Sequence, residues 1–343
     1  MRGWRFVLIT EKENRVQDGI RIGYYEDWMF DQVIGMFVAQ YGVGPEQQRT
    51  SFRQFFEAPF QLSQGIRLVA LDGQTVCGFQ SYFYWPYCYR GTSLRTFQSG
   101  NSLVSEKYQG RQIFARLLNF LAEANTSNRP EIDFLMGFPV EMSYGSFIRN
   151  KWANPLDLGW YTRLIHPFSV VRTYKPERSD WRFETVGEEV KAYYEERQIT
   201  LSKDVEFAKW RRASSRDAVP QYFYLHYHDA NGTIRFELKP QRRGLINELV
   251  LGDIVRSSPD PSLLRVGLKN LIRVAKEHSF LTILSIALNE QSADRSLLRT
   301  LKACGFFKLK NRIHFIVKPL GDSFPECTDP SSWNLMRSDI DTW

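Results

Sequence analysis

The sequence predicts an α+β fold of two similar units in tandem, each with a mixed, mostly antiparallel sheet flanked by helices. Three observations support this prediction. A strand, a polar turn and a helix follow one another from Leu103 to Ala122, the same order recurs after residue 249, and 343 residues exceed the usual length of one domain. Because 43% of the residues are apolar and 15% are aromatic, the chain can fill two cores.

The segment from Leu103 to Ala115 changes abruptly from strand to helix spacing. An apolar strand end is followed by a polar turn that contains Gly110, and then by a helix that we expect to begin near this glycine. The apolar residues of the helix share one face: Ile113, Leu117, Leu118, Leu121 and Ala122. Since the first N–H groups of a helix have no partner within it, the turn is a candidate anion site.

The rest of the first half supplies further strands and helices around this segment. We expect strands in 19–25 and 66–84 and an amphipathic helix in 31–41. A strand in 131–137 and a helix through Tyr144 follow the candidate anion turn.

The second half repeats this order without the glycine turn. Strands are predicted in 249–255, 281–288 and 313–318, and helices in 262–278 and 295–304. The equivalent turn, 256–261, contains two prolines, which lack N–H groups, and no glycine. We therefore expect this copy to bind no phosphate. The predicted boundaries are an N-terminal extension (1–18), a first domain (19–175), a second domain (181–320) and a C-terminal tail (321–343).

The turn resembles the pyrophosphate loop of the GNAT superfamily of acyl-CoA N-acyltransferases. That pattern is Gln or Arg, two free positions, Gly, one free position, then Gly or Ala. Here it starts at Gln109, so Gln112 stands at the fourth position and Phe114 at the sixth, whereas Gln109, the following Gly110-Arg111 pair and Ile113 match.

Other segments extend the resemblance over residues ~19 to ~173. The matching order downstream is Gly137-Phe138-Pro139, Ser143-Tyr144, Phe147 and Gly159-Trp160. Beyond it, Asp204–Arg211 and Trp333–Asp341 are similar to segments of tandem GNAT-like proteins from bacterial polysaccharide gene clusters.

The resemblance implies acyl-CoA, with acetyl-CoA expected, as cosubstrate and no metal. It implies direct acyl transfer, in a ternary complex, to a small-molecule amine. Candidate acceptors are an amino sugar of surface polysaccharide synthesis and other nucleotide-linked or anionic amines. The residues it places at the cofactor are Leu103, Val104, Gln109, Gly110, Arg111, Gln112, Ile113, Phe114 and Ala115.

The same resemblance suggests catalytic residues near the end of the strand that precedes Phe138. Tyr144 is the candidate acid for the leaving thiolate, although counting back from Trp152 puts the family's tyrosine position at Phe147. Glu26 and Glu141 are the candidate bases. His166 is a further alternative.

Composition leaves the partners open. A net charge of +7 suits CoA phosphates and other anions, but no basic and aromatic spacing typical of RNA binding occurs, so we expect no nucleic acid partner. The four cysteines show no metal spacing, and no apolar run reaches the ~20 residues that cross a bilayer. The first residues lack the apolar core of a secretory signal, so we expect a cytoplasmic protein.

The sequence is also compatible with two other functions. Fem-type peptidyltransferases also pair two GNAT-like domains and take an aminoacyl group from tRNA. A degenerate GNAT fold that only binds a ligand or partner would explain Gln112 and Phe114.

Overall fold

The computed structural model describes residues 16–124, 132–171, 174–185, 190, 192–193, 198–214, 222–292, 295–320 and 324–340. Residues 1–15 of the predicted N-terminal extension, Glu131 of a predicted strand, and residues 321–323 and 341–343 of the predicted tail lie outside the described residues. We call residues 16–171 the first half and residues 174–320 the second half. No helix in the described ranges is long and apolar enough to cross a membrane.

Helices and strands occur in the predicted order. The helices are α1 (Phe30–Tyr41), α2 (Pro45–Phe52), α3 (Pro59–Leu62), α4 (Ile113–Ala124), α5 (Glu141–Arg149), α6 (Val205–Ala213), α7 (Pro261–Lys276) and α8 (Ser296–Ala303). The strands of the first half are β1 (Val16–Gln17), β2 (Ile20–Tyr24), β3 (Ile66–Asp72), β4 (Thr75–Tyr84), β5 (Tyr87–Tyr89), β6 (Thr92–Leu94), β7 (Thr96–Val104), β8 (Phe134–Gly137) and β9 (Ala153–Leu164). Those that follow are β10 (Ile199–Leu201), β11 (Phe223–Asp229), β12 (Gly232–Arg243), β13 (Ile246–Arg256), β14 (Ile283–Asn289), β15 (Phe307–Pro319) and β16 (Trp333–Asn334).

Both halves contribute to one continuous sheet. Within the described residues it has twelve strands in the order β1-β2-β3-β4-β7-β8-β15-β9-β14-β13-β12-β11, and most neighbours are antiparallel. The pairs β7–β8 and β13–β14 are parallel, one in each half. The predicted α+β class with a mixed, mostly antiparallel sheet in each of two units is confirmed, and the two sheets are joined edge to edge.

The halves exchange their last strands at the centre of this sheet. Strand β15 of the second half pairs with β8 of the first, with Ile316 opposite Gly137. Strand β9 of the first half pairs with β14 of the second, with Tyr161 opposite Ile286. The two exchanged strands also pair with each other antiparallel. Each half therefore completes its sheet with a strand of the other.

Packing on the two faces of the sheet sets the position of α4. Gly78 of β4 lies beneath this helix, where a Cβ atom would come within 2.9 Å of the Ile113 side chain and 3.2 Å of Leu117. Glycine at this position lets the helix approach the strand closely. The apolar stripe predicted for α4 is buried there, together with Phe147 of α5.

The segment 204–211 fastens the second half to the first. The Asp204 carboxylate accepts a hydrogen bond from the Phe207 N–H (2.8 Å), which caps α6. The Trp210 ring packs 5.5 Å from Trp85 and its Nε1 donates to the Phe55 carbonyl at 3.2 Å. Arg211 donates to the Ile340 carbonyl at 2.9 Å. This tryptophan and arginine signature is thus part of the core between the halves and the tail.

The strand exchange predicts that neither half folds alone. Residues 1–177 and 178–343, produced separately, should each lack the near-UV circular dichroism of the intact chain, because the sheet of each piece ends at an unpaired edge of β8 or β14. Produced together, they should elute as one folded 1:1 complex in size-exclusion chromatography.

The control for the split is the intact protein with a protease site inserted after Glu177. Cut after folding, it should keep its elution volume and its spectrum. A folded, monomeric piece 1–177 with native-like unfolding cooperativity would contradict the exchange.

Candidate functional site

The loop between β7 and α4 contains a run of backbone N–H groups that have no partner within the described chain. A 3₁₀ turn (Glu106–Tyr108) leaves β7, and Gly110 then adopts a left-handed conformation at φ +80°. The N–H groups of residues 110–115 have no hydrogen-bond partner within the described chain, and the first helical bond joins the Arg116 N–H to the Gln112 carbonyl at 3.0 Å. Since these donors meet the positive end of the helix dipole, the loop is a candidate anion site.

Gln112 adopts a backbone conformation that is typical of glycine. Its φ is +56°, in the left-handed region that costs a residue with a Cβ atom about 1–2 kcal/mol. The family pattern has glycine at this position. Gln112 keeps the left-handed turn there and adds an exposed side chain. Gln112 departs from the pattern in its side chain and not in the course of the backbone.

Loop side chains add a cation and a rigid ring. The Tyr108 hydroxyl donates to Asp72 at 3.0 Å, and the Arg111 guanidinium lies 5.1 Å from the centre of the Tyr108 ring. The hydrogen bond to Asp72 is the largest effect that raises the pKa of Tyr108. Arg111 is exposed at the mouth of the loop, where its charge favours phosphate.

A gap opens in the sheet next to the loop. The pairing of β7 with β8 ends at Gln98 and Met136, although β7 continues to Val104 alongside β4. Asn101 (φ +50°) lies in a bulge of β7, because Leu103 faces Phe79 whereas Gly100 already faces Ser81. The bulge turns the backbone of β7 within the diverging stretch, and no local sequence pattern predicts it.

Polar side chains surround the point of divergence. The Gln80 amide donates to the Ser99 hydroxyl at 3.1 Å, and the Ser102 hydroxyl donates to the Gln80 carbonyl oxygen. Gln98 is fully buried, and neither polar atom of its side chain has a hydrogen-bond partner within the described chain. A buried amide without hydrogen-bond partners lowers the free energy of unfolding by about 1–3 kcal/mol. Gln98 is therefore an energetically unfavourable residue at the base of the gap.

Tyr144 belongs to a cluster that includes a histidine from the second half. Its ring stacks on the His314 ring of β15, with centroids 4.1 Å apart and 18° between the planes. His314 is buried, its Nδ1 lies 2.8 Å from the Asp157 carboxylate and its Nε2 lies 3.0 Å from Glu141. Arg312 pairs with the second oxygen of Asp157 at 3.1 Å. The candidate acid and one candidate base are therefore joined by the histidine.

The other candidate bases lie elsewhere. Glu26 precedes α1 and accepts a hydrogen bond from the Trp28 indole at 3.1 Å. The apolar face of α1 packs on the side of the sheet opposite to α4 and α5. His166 follows β9 and its Nε2 lies 2.9 Å from the Lys276 carbonyl at the end of α7. Among the described residues, neither contacts Tyr144.

Phe114 and Phe147 occupy the space between α4 and α5. Their ring centroids are 5.5 Å apart in an edge-to-face arrangement, and Phe147 also packs 5.1 Å from Trp152. Phe147 is thus a core residue, whereas Tyr144, one turn earlier, reaches the histidine. The roles predicted for Leu103, Val104 and residues 109–115 in holding a cofactor stay predictions.

The equivalent helix end in the second half is closed by its own carboxylate. Asp260 accepts hydrogen bonds from the Ser262 N–H (2.8 Å) and the Ser262 hydroxyl (2.7 Å) in front of α7. Pro259 and Pro261 supply no N–H groups. A phosphate would meet a negative charge here, which agrees with the expectation that this half binds none.

Three solved structures have similar folds over most of their length. A GCN5-related N-acetyltransferase from Anabaena variabilis covers 88% of this chain and 73% of its own at 10% identity, with a TM-score of 0.57. One from Kribbella flavida covers 88% and 72% at 11% identity, with a TM-score of 0.51. The N-myristoyltransferase of Saccharomyces cerevisiae, solved with bound myristoyl-CoA, covers 97% and 87% at 10% identity, with a TM-score of 0.50.

These likenesses show that the chain has the GNAT fold, which confirms the sequence resemblance. No protein-family model matches the chain, and no curated protein matches it. In the described part of the chain, no group of three or more His, Cys, Asp or Glu side chains is arranged to hold a metal ion.

The backbone at Gln112 leads to a stability prediction. Gln112→Gly should raise the free energy of unfolding by about 0.5–1 kcal/mol, since relief of the left-handed strain exceeds the extra entropy of the unfolded glycine chain. Urea unfolding followed by circular dichroism measures the change.

Gln109→Gly is the matched control in the same loop. Gln109 has φ −64°, so glycine relieves no strain there and should lower the free energy of unfolding by about 0.4–1 kcal/mol. Equal losses in both variants would show that Gln112 is not strained.

Proposed function

We propose that the protein is an acyl-CoA-dependent N-acyltransferase whose CoA site lies in the first half. The observation that carries the proposal is the set of free N–H groups of residues 110–115, placed beside the gap between β7 and β8. The loop fits the diphosphate of CoA, and the gap fits its extended pantetheine arm. The bound myristoyl-CoA of the yeast neighbour supports an acyl-CoA donor.

Acyl-CoA is a cosubstrate in this proposal, and the residues present fit it. Residues 109–115 would hold the diphosphate, with Arg111 as an added cation, while Leu103 and Val104 would offer backbone groups to the arm. Acetyl-CoA is the expected donor. The Phe114 ring packs edge-to-face on Phe147 between α4 and α5.

Direct acyl transfer requires two proton transfers, which we place on the cluster around Tyr144. The amine attacks the thioester carbonyl and loses a proton to a base, and the departing thiolate receives one from an acid. Tyr144 is the proposed acid. The base is Glu141 or His314, which share a hydrogen bond, and Asp157 keeps the His314 ring in place through Nδ1. Glu26 remains the candidate for an acceptor that enters from the α1 face.

The proposed acceptor is a small amine. An amino sugar of surface polysaccharide synthesis agrees with the sequence resemblance, and the net charge of +7 also suits a nucleotide-linked or anionic acceptor. A Fem-type donor, aminoacyl-tRNA, and a binding-only role are the alternatives. The unpaired N–H groups at the start of α4 favour a function that uses acyl-CoA over a role that only binds a partner.

The proposed diphosphate site in residues 109–115 is tested by removing one of its backbone N–H donors. Gly110→Pro deletes an N–H group and excludes the φ of +80°, so CoA binding measured by calorimetry should be lost while the domain stays folded. The wild type should bind one CoA per chain, because the Asp260 cap closes the second half.

Gly244→Pro is the control, since Gly244 also has a positive φ (+61°) in an exposed turn, between β12 and β13. It should retain CoA affinity. Normal CoA affinity of folded Gly110→Pro, or two CoA molecules per chain, would contradict the proposed site.

The acid is tested with Tyr144→Phe. Loss of the hydroxyl should lower kcat by ~10²-fold and leave the CoA Kd nearly unchanged, because the ring still stacks on His314. The assay follows thiol release from acetyl-CoA with a panel of amino sugars.

Tyr41→Phe, in α1 on the opposite face, should keep wild-type turnover. If Tyr144→Phe also turned over at the wild-type rate, Tyr144 would only pack against His314.

A further inference from the structure

A cavity of about 440 Å³ lies between the second half and the C-terminal tail, where β13 and β14 diverge. Their parallel pairing ends at Leu251 and Ile286, and β13 continues to Arg256. Asp253 and Val255 of β13, Leu288 of β14 and Leu297 of α8 line the opening. A cavity at diverging parallel strands is a usual place for a small ligand, and its size lies within the range of roughly 300–1,000 Å³ of such sites.

The charged side chains that line this cavity within the described chain balance one another. Lys203 is held by Asp253 and Asp339, each at 2.8 Å, and donates to the Ser338 hydroxyl at 2.7 Å. Burial would lower the pKa of Lys203, but the two carboxylates outweigh burial and raise it. The described lining contains three acidic and three basic residues: Asp204, Asp253, Asp339, Lys203, Arg235 and Arg256. This balanced set of described side chains gives an anion such as CoA no net attraction, and the Asp260 cap repels one at the nearby helix end.

The remaining described lining mixes polar and apolar side chains. Six residues carry aliphatic hydroxyl or amide groups, and ten have aliphatic side chains, with Met336 counted among them. The polar group comprises Gln198, Thr200, Ser202, Ser292, Asn289 and Asn334, and the aliphatic group includes Leu201, Leu264 and Met336. A sugar offers the complementary pattern, with hydroxyls at the ring edge and C–H groups on its faces. Carboxylates and amides bind hydroxyl pairs, while aliphatic side chains cover the C–H face.

We infer that this cavity is a second ligand site that binds a sugar-sized, uncharged or singly amino-substituted polyhydroxylated molecule. The site is separate from the loop of residues 109–115 and does not depend on the proposed acyl transfer. The second half thus keeps the strand divergence of the first half while lacking its anion cradle, and it binds a different class of molecule there.

The test is calorimetry of the full chain with glucose, glucosamine, N-acetylglucosamine and inorganic phosphate. At least one of the three sugars should bind with 1:1 stoichiometry, and saturating CoA should leave its Kd within about twofold. Leu297→Trp, which fills the cavity from α8, should weaken sugar binding at least tenfold. Arg299→Trp, on an exposed position of the same helix, should not.

A second variant guards against misfolding. Val255→Phe fills the cavity from β13, and circular dichroism and the melting temperature show which of the two variants is folded. Sugar binding that is weakened in a folded variant supports the inference. Unchanged sugar affinity in folded Leu297→Trp or Val255→Phe, binding of phosphate instead of sugars, or no binding of any sugar by the wild type would overturn it.

Discussion

The pairing of β9 with β15 is the interaction on which the rest of the structure depends. A strand that diverges from its neighbour leaves backbone groups unpaired, and β8 has only four residues to hold that edge of the sheet. The second half supplies the missing neighbour: β15 pairs with β8 through residues 316–319 and then with β9. The gap between β7 and β8 can stay open because β8 is secured on its other side. The strand exchange therefore stabilises the fold and makes room for a ligand.

The same exchange explains how two copies of one plan come to differ. Each half has parallel strands that part, yet α4 begins with free N–H groups whereas α7 begins under the Asp260 carboxylate. Because β15 crosses into the first half, it also brings His314 to Tyr144, and the second half thereby adds a titratable side chain to the first half's candidate site. The second half receives β9 in return. Where β13 and β14 diverge, Lys203 neutralises the carboxylates of Asp253 and Asp339 and is not available to bind an anion.

Local patterns predicted the elements, and long-range pairing limited the prediction of the site. Helical spacing placed α4 within three residues of its observed start, whereas the candidates Tyr144 and Glu141, which both lie on α5, came from the family resemblance and from their position after β8. His314 could not be found in this way, since it lies 157 residues from Asp157 and nothing local to β15 indicates which strand it joins. The bulge at Asn101 was missed because a left-handed residue inside a strand has only a weak sequence signal. Which residues surround Tyr144 follows from the strand exchange, which sequence spacing does not encode.

The most distinctive sequence segments are structural. Trp210 and Arg211 join α6 to Trp85, and Trp333 is buried between Phe134 of the first half and Phe315 of the second, at 5.4 and 4.6 Å. A large aromatic residue at such a junction buries area from both halves at once, so its loss would loosen the interface that keeps β9 and β15 in place. Similarity in these segments consequently indicates how the two halves are joined. The proposed chemistry involves other side chains, such as Gln112, Tyr144 and His314, and so proteins that share this junction can differ in donor and acceptor.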